Sequence, residues 1–141
     1  MKKFLLLLLL VPLTLCAEPV EQKDQLVGIW QQVSPAKGDS PAIKLPVWKV
    51  LQQDGQFTLF LIANKQAQSI ITNQGTYTVG ADNVIVEHIS ASLTKPEMVG
   101  KKNKISYKFL DRDTMVISYR FPTDQTDVTE MWVRVKMELP R

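Results

Sequence analysis

The residues equipped for chemistry are few and concentrated late in the chain. Glu130, Trp132 and Arg134 stand at i, i+2 and i+4 in "TEMWVRV", so on a strand all three leave one face, with Met131, Val133 and Val135 on the other. Turned inward, that set lets Arg134 anchor a ligand carboxylate through paired N–H bonds. Turned outward, Arg134 is a strand-edge charge, and one residue of register decides between the two. Tyr107 and Tyr119 add phenols that donate or accept. His88 is the only histidine, and in "NVIVEHIS" it alternates with Val84 and Val86, so it is expected to face the core. These six residues, Tyr107, Tyr119, Glu130, Trp132, Arg134 and His88, are the candidate ligand-binding set.

Catalysis finds less support. Glu87 and Glu130 are a carboxylate pair of the kind glycoside hydrolysis uses, but many strand sequences would place two glutamates equally well. The chain contains no G-x-S-x-G elbow, P-loop or H-E-x-x-H. A lone histidine supplies no convergent metal-ligand set, and no cofactor is implied. Non-catalytic binding is the expectation, with a hydrolase as the minor alternative.

The elements that must position these residues are strands. After a polar lead, short runs rich in Val, Ile, Thr, Tyr, Phe and Trp alternate with turn residues, the pattern of an all-β domain. Candidate strands are Leu26 to Val33, Val47 to Gln52, Gln56 to Ala63, Ser69 to Asn73, Gly75 to Val79, Asn83 to Ser90, Lys104 to Leu110, Thr114 to Pro122 and Val128 to Met137. Short polar turns at Gln53 to Gly55, Gly80 to Asn83 and Asp111 to Asp113 favour antiparallel neighbours. The expected architecture is a single antiparallel up-and-down β-barrel of eight to nine strands. With Asp111 to Asp113 as a loop, Phe109 faces Met115, Tyr107 faces Ile117 and Ile105 faces Tyr119, an apolar face backed by a wet one. Two longer connections, Ser34 to Pro46 and Ala91 to Gly100, read as a flap and as a loop or single helical turn. "FTLFLIA" is apolar on both faces, which points to a strand covered outside as well, by the N-terminal lead or by a partner.

The chain opens "MKKFLLLLLLVPLTLCAEP", the layout of a secretory signal. Its apolar run is about half of the ~20 residues that a spanning helix needs, so no transmembrane span is expected in the mature chain. Cleavage after Ala17 competes with lipid attachment at Cys16, and the bulky Leu15 suits neither well. The reading is therefore residues 1–17 as signal peptide, 18–25 as a polar lead and 26–141 as the barrel domain. The product is exported, periplasmic or secreted, or else an outer-membrane lipoprotein. Cys16 is the only cysteine, so disulfides play no part in the mature domain. Of the 17 basic residues Lys2 and Lys3 leave with the signal, and the remaining 15 against 14 acidic ones give no electrostatic footprint for nucleic acid.

The stretches "VGIWQQV", "NQGTYTVGADNVIVEHI" and "DVTEMWVRV" together resemble the lipocalin and wider calycin pattern. More closely, they look like a lipocalin-like domain family of unknown function from exported Gram-negative bacterial proteins. In that superfamily a tryptophan sits at the closed barrel end and a late-strand arginine packs across it, so the resemblance implies Gly28, Trp30 and Arg134 as barrel-closing residues. The middle lipocalin loop motif has no clear equivalent here, and the family brings no established activity. The resemblance implies a small apolar or amphipathic ligand inside the barrel. The competing expectation is a filled barrel whose loops engage another envelope protein or a glycan.

Overall fold

The computed structural model describes residues 20–62 and 68–140, and the leader with its two processing sites lies outside them. A short helix, α1 (Val20–Leu26), precedes eight strands: β1 (Gly28–Ser34), β2 (Ile43–Leu51), β3 (Gln56–Leu61), β4 (Ile70–Gly80), β5 (Val84–Ser92), β6 (Lys102–Asp111), β7 (Thr114–Arg120) and β8 (Asp127–Arg134). Each strand pairs antiparallel with the next, and β1 closes on β8 from Trp30 opposite Arg134 to Val33 opposite Met131. The result is a closed up-and-down barrel, which leaves no sheet edge unpaired.

The strand count settles at eight because the two segments expected around residues 69–73 and 75–79 are one strand. β4 runs on through Gln74 and Gly75 instead of turning, and the register shift there leaves Ser90 of β5 as the extra, bulged residue. A Cβ on Gly75 would collide with the backbone carbonyl of His88, so glycine is what lets β4 and β5 approach at the bulge. The first strand starts two residues later than expected, since Leu26 ends α1. The polar lead thus closes one barrel end and does not cover the outside of β3.

Alternation then sorts the side chains. Trp30, Leu51, Phe57, Tyr77, Ile85, Ile89, Ile105, Tyr107, Met115, Ile117 and Trp132 form one buried core. Phe109 faces Met115, Tyr107 faces Ile117 and Ile105 faces Tyr119, the register that the Asp111 to Asp113 turn requires. Lys102, Lys104, Ser106 and Lys108 on β6 point into solvent. Between β5 and β6 the chain makes one 3-10 turn, Pro96–Met98, that buries Met98 against the barrel's open end. No helix among the described residues is long and apolar enough to cross a membrane.

Candidate functional site

The two barrel ends are chemically different. At the closed end the helix α1 finishes with carbonyls that lack intrahelical partners, and these need donors. Trp30 Nε1 donates to Leu26 O at 2.8 Å, Arg134 Nη1 to Val27 O at 2.9 Å and Arg134 Nη2 to Gln25 O at 2.6 Å. The Arg134 guanidinium also lies over the Trp30 ring, 4.2 Å from its centre, a cation–π contact. Burial lowers the Arg134 pKa from its usual value, opposed by Asp113. One tryptophan and one arginine thereby seal the barrel and pin the helix across it.

Gly28 makes room for this arrangement. Its φ of 145° lies where L side chains are strained, and a Cβ there would come within 2.6 Å of Arg134 Nη1. Because that guanidinium is held on several sides, it has little freedom to retreat. Gly28→Ala is expected to cost about 1–3 kcal/mol through backbone strain and a displaced Arg134. A thermal or urea denaturation series measures it, and a loss below about 0.5 kcal/mol, the range of ordinary surface substitutions, would show that the arginine moves freely.

Toward the open end the barrel holds a cavity of about 250 Å³. Its apolar walls come from Leu59, Ile89, Ile105, Met98 and Phe121; Lys49, Glu87, Asn103, Tyr119, Glu130 and Trp132 are among its polar groups, with Asn73, Ser92, Thr94 and Lys95 completing the lining. Lys49 and Glu87 form a buried ion pair at 2.7 Å, their side chains only 10% and 6% exposed. The Lys49 ammonium also sits 5.7 Å from the Phe57 ring centre and 5.6 Å from that of Trp132. Glu130 Oε1 accepts from the Tyr119 hydroxyl and Oε2 from Trp132 Nε1, both at 3.0 Å. Burial, reinforced by the Glu130 carboxylate, pushes the Tyr119 phenol far above its ordinary range, which keeps it a donor. At the mouth Lys95 lies 4.2 Å over Phe121 and pairs with Asp124 at 2.7 Å. Lys95 and the Thr126 amide draw the Asp124 carboxyl down to about 2.

Of the candidate residues, the structure brings Tyr119, Glu130 and Trp132 together in this cavity. Arg134 shares their face of β8 but emerges at the other end, its guanidinium committed to α1. Tyr107 lies in the core, its ring 5.8 Å from that of Phe109, and its hydroxyl has no partner among the described residues. His88 requires a correction: it points outward with Val84 and Val86, while Ile85, Glu87 and Ile89 take the interior. Both phases of β5 are apolar, so alternation alone could not say which faces in. Lys49 and Asn103 were not singled out by the sequence, and Glu87 only as half of a carboxylate pair. The available signal was phase. Lys49 shares a face with Val47 and Leu51, and Asn103 shares one with Ile105 and Tyr107.

A wider depression at the closed end, among Asp24, Phe109, Asp111, Arg112, Asp113, Arg134 and Lys136, is open to solvent. No group of three or more potential metal-ligating side chains occurs among the described residues. Fold and site together define a small closed β-barrel, helix-capped at one end and carrying a polar-floored cavity at the other. Residues 25–141 match the family described as a domain of unknown function, DUF4488, and the chain belongs to that family. No curated protein matches the chain at a significant level.

Proposed function

We propose that this protein is a non-catalytic binder of one small amphipathic molecule, held in the cavity at the open end of the barrel. The observation that carries this reading is the cavity itself, in which apolar walls meet a few convergent polar groups, the usual make-up of a ligand site. Its size limits the occupant. At ~30 Å³ per water it has room for roughly eight waters, or a ligand of about ten non-hydrogen atoms, and not for a long acyl chain. Glu130 is fixed by two donors and Glu87 by Lys49, which suits recognition better than proton transfer. Kinship with the lipocalins is part of the proposal, supported by the eight-stranded barrel and by Gly28, Trp30 and Arg134 at its closed end. So is export to the periplasm or the cell surface, supported by the leader sequence.

Native mass spectrometry of the protein purified from its own envelope fraction tests this, with a denatured spectrum alongside to fix the processing site. The expected result is a small bound mass that is lost on denaturation. A reproducibly bare polypeptide would favour the second reading, a module that engages another envelope protein. The observation behind that alternative is the set of exposed apolar side chains around the open end: Ile43, Leu61, Ile70, Ile71 and Leu93.

A further inference from the structure

The polar groups of the cavity are unbalanced in a way that specifies its ligand. Lys49 answers Glu87, and at the mouth Lys95 is held by Asp124 and lies 3.9 Å from Glu97. Glu130 is left with neutral donors only. Both its oxygens accept, from Tyr119 and Trp132, and no cation among the described residues pairs with it. Asn103, in the lining of the same cavity, offers no second acceptor. Its Oδ1 is buried in a residue only 5% exposed and has no hydrogen-bond partner among the described residues. That oxygen has almost no accessible surface, so it is enclosed by the wall and not presented to a guest, and Glu130 is the acceptor that the cavity offers. The walls favour the same kind of guest. Tyr119, Phe121 and Trp132 line the cavity, and both lysines there already rest on aromatic faces, Lys95 on Phe121 and Lys49 on Trp132.

We propose that the cavity selects a small organic cation, a primary amine on a compact apolar body, with Glu130 as the partner of its ammonium. This rests on the small-ligand reading above and narrows it. A ligand carboxylate would instead meet the like charge of Glu130. The residue that could have anchored an acid, Arg134, is spent at the opposite end of the barrel.

Three probes of nearly equal size separate the possibilities: 2-phenylethylamine, 2-phenylethanol and phenylacetate. Each is titrated at neutral pH into the mature chain and followed by calorimetry and tryptophan fluorescence. The amine is expected to bind roughly tenfold or more tighter than the alcohol, because the ammonium adds attraction between two full charges to the hydrogen bond that either probe donates to Glu130, and phenylacetate weakest of all. Glu130→Gln should weaken the amine by roughly tenfold or more and the alcohol by much less, so that the two probes converge, with a thermal melt to verify folding. If that variant does not fold, the wild-type order decides alone. Alcohol or acid binding as tightly as the amine would overturn the cation inference and leave the small-ligand reading standing. No binding of any probe overturns the inference alone if the native spectrum still shows a small cargo, and both readings if it does not.

Discussion

Trp30→Ala is expected to lower stability by about 3–5 kcal/mol, the range for truncating a large aromatic in a packed core. Trp30 is fully buried, and its ring stands 6.0 Å from that of Phe109. The local wiring places the loss toward the upper part of that range. Removing the indole takes away the surface on which Arg134 rests and leaves Leu26 O without its 2.8 Å donor. The seal and the helix it pins then loosen together. Trp30→Phe separates these contributions, because it keeps an aromatic face for the guanidinium and deletes the N–H. Its cost should approach that of one unmade buried hydrogen bond plus a small void, about 1–3 kcal/mol. Denaturant unfolding of both variants checks the pair. A Trp30→Ala cost under about 1 kcal/mol would mean that the barrel end is not closed by this residue.

The barrel was legible in the sequence because its cues are local and mutually consistent, period-two alternation and short polar turns between the runs, while the pairing of Gly28 and Trp30 with Arg134 came only from the family resemblance. The tight turn at Asp111 to Asp113 even determined a register, and that register holds. Two features escaped because their causes are not local. The helical lead from Val20 to Leu26 is too short and too polar to announce itself. It is held by donors that arrive from β1 and β8, the latter more than a hundred residues away. The polar floor of the cavity escaped because strands with two apolar faces hide their phase. In β5 the histidine was the conspicuous residue and the glutamate beside it the buried one. Asn103 was the nearer miss, since once Ile105 and Tyr107 face inward, alternation carries Asn103 in with them.

Lys49→Met should be nearly as damaging as losing Trp30, and its rescue is the more informative experiment. The substitution leaves the Glu87 carboxylate on the buried face of β5 without its ammonium, and breaking a buried pair on one side costs about 3–5 kcal/mol. Glu87→Leu alone strands the ammonium in turn, with two aromatic faces to soften the loss. The double variant leaves no unpaired charge from the pair. Apolar replacements of similar volume often match or exceed a buried ion pair in stability, so Lys49→Met with Glu87→Leu should return to within about 1–2 kcal/mol of the wild type. Denaturant unfolding of all four proteins closes the cycle and isolates the coupling of the two side chains. If Lys49→Met costs less than about 1 kcal/mol, water entering from the open end is solvating Glu87 and the floor of the cavity is wetter than its burial implies. The double variant also has a use in ligand binding. It deletes the pair but leaves Glu130, Tyr119 and Trp132 in place, so a preference for the amine that survives in it belongs to Glu130 and not to the Lys49–Glu87 pair.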